Sequence, residues 1–153
     1  MVADAERQPV TSVLPFSTGV IGERLPLQPF SEAMPQLIKQ LGDQNWHDAA
    51  TAIMTTDTRP KIACRSVAVG EQTVQFTGIA KGAGMIQPNM ATMLCFIACD
   101  ANVDQGLLQE MLRAGANQSF NRITVDSDTS TNDACLLVAT GSVDVDVESN
   151  LEA

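Results

Sequence analysis

Residues 81–99 read KGAGMIQPNMATMLCFIAC, and the change of character inside that string decides the architecture. Lys81 to Asn89 holds two glycines and a proline with no consistent apolar period, so it reads as a loop. Thr92 to Cys99 is an almost unbroken apolar run, which predicts a strand inside a covered sheet. A little further on, Asp104 is a good N-cap for a helix to about Ala116, with Leu107, Leu108, Met111 and Leu112 on one stripe. Strands alternate with helices and no internal repeat shows, so an α/β layered fold is expected.

Working outward, Ile62 to Val69 and Thr73 to Ile79 flank Gly70-Glu71, a plausible hairpin. Val13 to Gly22, VLPFSTGVIG, reads as a short strand followed by a turn. Pro26 and Pro29 mark a connector, after which Ser31 is expected to cap a helix to about Leu41. Met34, Leu37, Ile38 and Leu41 form its stripe and Gly42 its stop. Asn45 to Met54 predicts a second short helix with Trp46, Ala49, Ala50 and Ile53 inward. Towards the C-terminus, Ile123-Thr124-Val125 is expected as a strand. Ser130-Thr131-Asn132-Asp133 follows capping-box logic with Asp where Glu or Gln is usual. Ala134 to Ala139 fits helix or strand equally, because periodicity alone does not separate them.

The chain has 153 residues, 44% of them hydrophobic and 18% charged, which suits one domain with an ordinary core. Its net charge is −9, and the sign is uneven: seven bases and eight acids up to residue 91, two bases and ten acids after it. Such a chain has no general attraction to a phosphate backbone. No apolar run approaches the length of a membrane span, and the N-terminus lacks the pattern of a secretory signal, so a cytoplasmic location is expected. The four cysteines, Cys64, Cys95, Cys99 and Cys135, form no Cys-x-x-Cys pair and the single His47 is distant, so no metal is expected. The cysteines read instead as buried small hydrophobes.

KGAGM lacks the spacing of a phosphate loop and precedes a strand, not a helix. The longer string Lys81 to Leu94, KGAGMIQPNMATML, closely resembles the signature of the ornithine acetyltransferase (glutamate N-acetyltransferase) family of arginine biosynthesis. Three further strings match in the same order: PFSTGVIGERLP, AIMTTDTRPK and ITVDSDTSTNDACLLVATG. Members of that family cut themselves at the Ala-Thr bond of the motif, which falls here at Ala91–Thr92. The resemblance implies a layered α/β sandwich of the self-cleaving N-terminal-nucleophile type, incomplete at both ends because family members are considerably longer. Residues 1–91 would then be the C-terminal part of the α chain and 92–153 the N-terminal part of the β chain, within one structural domain.

By the same resemblance, Thr92 is the nucleophile, and Thr18 and Gly19 supply the oxyanion hole. Thr55 and Lys81 contact substrate, with Thr56 and Thr58 as alternatives to Thr55. A threonine hydroxyl needs a base, and scission gives Thr92 an α-amine whose ordinary pKa of about 7.7–8.0 suits that task. The expected reaction moves acetyl from N-acetylornithine to glutamate through an acetyl-threonine, releasing ornithine and N-acetylglutamate. No cofactor is implied, although some members also take acetyl from acetyl-CoA. The expected assembly is a heterotetramer of two α and two β chains, with no nucleic-acid or membrane partner. Two alternatives stay open: an aminopeptidase-like amide hydrolase and an inactive fragment.

Overall fold

The computed structural model describes residues 1–87, 93–128, 133–145 and 147. They fall into two compact units, Met1–Trp46 and His47–Ala153. The first unit holds a short helix α1 (Val2–Ala5), a 3₁₀ turn (Val10–Ser12) and helix α2 (Leu27–Lys39). The expected strand over Val13 to Gly22 is absent: residues 13–20 take no regular secondary structure, and a turn follows at residues 21–23. Extended backbone becomes a strand only when another strand takes up its N–H and C=O groups.

Helix α2 starts five residues earlier than its sequence suggests. Pro26 is the N-cap, and Pro29 lies in the first turn, where a missing N–H costs no intrahelical bond. Ser31 is therefore not a cap; its hydroxyl donates to the Gln28 carbonyl at 2.8 Å. Pro35 sits further along the helix, where it removes the bond that residue 35 would otherwise give the preceding turn. The apolar stripe is only partly covered, with Met34 and Ile38 half-buried but Leu37 and Leu41 exposed.

The second unit is built on a four-stranded sheet in the order β1-β2-β3-β4, formed by β1 (Lys61–Val69), β2 (Gln72–Lys81), β3 (Leu94–Ala101) and β4 (Ala134–Val143). Helix α3 (Trp46–Ala52) precedes it, shorter than expected; Ala50 is fully buried and Trp46 and Ile53 half-buried, but Ala49 is exposed. The β1–β2 hairpin is where the sequence placed it, with Val69 opposite Gln72 and Gly70 at φ +59°. That left-handed backbone is what the first position of a primed hairpin turn requires. β2 and β3 are antiparallel, whereas β3 and β4 run parallel. A parallel pair needs a crossover, and helix α4 (Gln105–Gln118) provides it. Asp104 caps α4 as expected, its Oδ1 accepting the Gly106 N–H at 2.7 Å.

Ala134 to Ala139 is thus strand, not helix, and Asp133 opens β4 instead of boxing a helix; Ser130, Thr131 and Asn132 lie outside the described residues. Ile123-Thr124-Val125 is not a strand. It follows a 3₁₀ turn (Phe120–Arg122), whose Phe120 carbonyl accepts the Ile123 N–H, and its backbone bond to another segment runs from the Val125 N–H to the Ile86 carbonyl at 2.8 Å. Strand alternation puts Val74, Phe76, Gly78, Ile97, Cys99 and Ala139 on one sheet face. The core cluster of Val74, Cys99, Ala101 and Val145 lies there, with Phe76, Val103 and Val143 against it. β3 is the most covered strand, as its apolar run predicts: Leu94, Cys95, Cys99 and Ala101 are all buried. Cys64, by contrast, is exposed and Cys135 half-buried, so the cysteines are not uniformly core residues.

Candidate active site

The loop that leaves β2 is held by aspartates from elsewhere in the second unit. The carboxylate of Asp57, in the TTDTRPK connector, accepts the Gly82 N–H at 2.9 Å, the Thr55 N–H at 3.3 Å and a bond from the Lys61 ammonium. Gly82 itself sits at φ +146°, a backbone that side chains resist. Three and four residues on, Asp126 accepts the Met85 N–H at 2.6 Å and the Ile86 N–H at 2.9 Å. Met85 carries φ +56°, unusual for a residue with a Cβ, and the carboxylate of Asp126 offsets that strain. Gly84 is close to the same group: a Cβ there would lie 3.3 Å from Asp126 Oδ2.

The far side of the motif is fixed in the same way. Asp133 Oδ1 accepts the Met93 N–H at 2.9 Å, and the Met93 carbonyl accepts the Ala134 N–H at 2.9 Å. Carboxylates therefore hold the backbone on both sides of residues 88–92. Ala91 and Thr92, the expected scission site and nucleophile, lie outside the described residues.

The electrostatics follow from these bonds. Burial pushes the Asp57 carboxyl up, but the Lys61 ammonium and the Gly82 and Thr55 N–H groups outweigh it and hold the carboxyl at about 2. Asp126 is also lowered, chiefly by the Met85 N–H. Since the folded value of Asp57 is depressed from about 3.8, its contribution is complete above pH ~4 and disappears as pH falls towards 2. Its size is on the order of 2 kcal/mol at most, and less in practice because the Lys61 side chain is 43% exposed and screened by water. Asp57→Asn is accordingly expected to lower the denaturation midpoint of the full-length protein at pH 6 and to have little effect near pH 2. An equal loss at both pH values would show that the carboxylate charge contributes nothing.

Beside this loop lies a cavity of about 190 Å³, lined by Lys61, Lys81, Gly82, Ile86, Met93 and Phe120 among others. Lys81 ends β2 and is only 3% exposed, an unusual placement for lysine. Among the described residues no carboxylate lies within ion-pair distance of it, whereas Lys61 is engaged by Asp57. Among the described residues the cavity lining is thus mostly apolar, with a buried lysine that no carboxylate pairs, a setting suited to a small anion. It also adjoins Met93, the residue that follows the expected nucleophile.

Of the residues singled out in the sequence, Lys81 lines this cavity, and Asp57 ties Thr55 to the glycine that follows Lys81. Thr56 and Thr58 are exposed in the same connector. Thr18 and Gly19 belong to the first unit, where both are exposed, and a Cβ on Gly19 would lie 3.1 Å from Leu25 Cδ2. Asp57, Asp126 and Asp133 were not anticipated as site residues. Each stands in a turn-rich string, where aspartate commonly accepts backbone N–H groups, but the motif N–H groups they reach lie 25 to 41 residues away. No cluster of metal-ligating side chains occurs among the described residues, and no described helix is long and apolar enough to cross a membrane.

Comparison with known proteins agrees with the resemblance of the motifs. Residues 1–153 match the ArgJ family. The chain is 56% identical over 135 residues to the arginine biosynthesis bifunctional protein ArgJ of Pseudomonas syringae pv. tomato, covering 88% of this chain and 33% of that protein. It is 59% identical over 127 residues to the protein of the same name from Methylococcus capsulatus, covering 83% of this chain and 31% of that one. The relative from Colwellia psychrerythraea is 54% identical, over 87% of this chain and 31% of its own length. The chain thus spans about a third of the length of the curated relatives it matches. With a match along its whole length and more than half its aligned residues shared with these proteins, the chain belongs to the ArgJ family.

Proposed function

We propose that this segment carries the reaction centre of an acetyltransferase of arginine biosynthesis, which moves acetyl from N-acetylornithine to glutamate. The observation that carries the reading is the motif KGAGMIQPNMATML, pinned on both flanks by aspartates and adjoining a cavity that contains a buried lysine. Family membership and the relatives' name as arginine biosynthesis proteins support it.

In the first stage the Thr92 hydroxyl attacks the Ala91 carbonyl, forming an ester and releasing the Thr92 amine. Water then hydrolyses the ester, leaving Thr92 as a chain start. Its α-amine, with an ordinary pKa of about 7.7–8.0, takes the hydroxyl proton in the second stage. Thr92 Oγ attacks the acetyl carbonyl of N-acetylornithine, the proton passes to the departing amine, and ornithine leaves. The glutamate amine attacks the acetyl-threonine and regenerates the hydroxyl. Each tetrahedral oxyanion receives hydrogen bonds from the Thr18 hydroxyl and the Gly19 N–H, donors worth about 2.7–4 kcal/mol apiece in a protease oxyanion hole. Lys81 takes the substrate carboxylate, as a charge-assisted bond in an apolar cavity should, and Thr55 supplies a second polar contact.

The reading entails no cofactor, with acetyl-CoA as a further donor to assay. It also entails the N-terminal-nucleophile sandwich, a heterotetramer of two α and two β chains, and a cytoplasmic location. Intact-mass measurement on a full-length chain carrying this segment tests it. Two species are expected, one of them beginning at Thr92; persistence of a single uncut chain under conditions that support acetyl exchange would refute the mechanism.

A further inference from the structure

The second unit places two lysines on one small cavity and gives only one of them a described partner. Lys61 and Lys81 both line the 190 Å³ space, and the Asp57 carboxylate engages Lys61. The same carboxylate accepts the N–H of Gly82, immediately after Lys81, and of Thr55. Its side chain has no exposed surface, so water does not compete for these bonds. The group is thereby placed to do two things at once. It neutralises the cation at the rim and it joins the two chain segments proposed to touch substrate.

We infer that Asp57 is a positioning residue for substrate binding: it registers the Thr55 segment against Lys81 and leaves Lys81, which has no carboxylate partner among the described residues, to take the substrate carboxylate. This rests on the reading of Lys81 and Thr55 as substrate contacts. The atoms of Asp57 divide the work. Oδ1 serves both Lys61 and Gly82, while Oδ2 serves Thr55. An asparagine whose oxygen stays at the Oδ1 position keeps the Gly82 bond and turns an amide donor towards the Thr55 N–H. Asp57→Asn therefore loosens one arm, and Asp57→Ala releases both.

The test is steady-state acetyl exchange by the cleaved fraction of a full-length enzyme carrying this segment. Asp57→Ala is expected to raise the KM for N-acetylornithine roughly tenfold with kcat within about twofold, and Asp57→Asn to raise it by about threefold. In a Lys81→Met background, either Asp57 substitution should add clearly less than it does alone, because the part of its effect that passes through Lys81 is already lost. Should Asp57→Ala fail to fold, the asparagine variant and its double mutant carry the same comparison. Full additivity with Lys81→Met, or a fall in kcat at unchanged KM, overturns the role of Asp57 and leaves Lys81 as a substrate contact. An unchanged KM in Lys81→Met alone refutes the Lys81 contact, and the Asp57 inference with it.

Discussion

Thr92→Ala in a full-length chain carrying this segment is expected to leave one uncut polypeptide and to lower acetyl exchange by at least roughly three orders of magnitude. The size follows from what is lost. Without a hydroxyl there is no N-to-O shift, hence no free amine on residue 92 and neither nucleophile nor base for the second stage. Removing a covalent nucleophile in a hydrolase of comparable logic costs about 10⁶ in kcat, with residual rate left by oxyanion donors and binding. Thr92→Ser is the companion variant. It keeps an oxygen in the same covalent position and should still cut, at a reduced rate if the methyl group helps to fix the rotamer. The flanking geometry bears on this directly. Met93 is bonded to Asp133 and Ala134 through both its N–H and its carbonyl, so the residue following Thr92 is already set in the sheet's frame. Intact mass reads scission, and separation of acetylated from free glutamate reads exchange. Scission undiminished in the alanine variant would end the proposed mechanism.

The elements legible in the sequence are those whose signals are local. Gly70-Glu71 marks its own hairpin, Asp104 caps the helix it precedes, and the apolar run to Cys99 identifies a strand covered on both faces. Local signals leave a segment open, or mislead, where a distant partner decides. Ala134 to Ala139 becomes strand because β3 offers it a parallel edge, with Cys95 opposite Cys135 and Ile97 opposite Leu137. Val13 to Gly22 is also apolar, but no described strand pairs with it. In α2 the prolines misled, since a proline in the first turn of a helix looks like one in a connector. The candidate site divides similarly. Lys81 could be singled out by resemblance, but its burial and its cavity could not. Nor could the bond from the Gly82 N–H to Asp57, which closes a span of 25 residues. Aspartates in turns are common, and sequence does not tell which backbone each will reach.

Lys81→Met should raise the KM for N-acetylornithine by roughly 10- to 150-fold with little change in kcat, the second large effect expected of this site. Methionine matches lysine's unbranched stem without the ammonium, so the substitution removes charge from the cavity while conserving packing. A hydrogen bond to a charged group is worth about 1.5–3 kcal/mol, which sets the range. The loss falls on KM because the substrate carboxylate is not the reacting centre: its bond to Lys81 is as strong in the ground state as in the transition state. Burial sharpens the prediction. Lys81 is 3% exposed beside Gly82, Ile86 and Phe120, so solvent weakens the bond far less than it would on the surface. Lys81→Arg is expected to recover little, because a guanidinium is larger and forked, and a space of about 190 Å³ leaves little room for both it and a substrate. Saturation curves for donor and acceptor, collected on cleaved enzyme, separate the cases. A fall in kcat with KM unchanged in Lys81→Met would move this lysine from holding substrate to stabilising the reaction's developing charge, and the cavity would need another occupant.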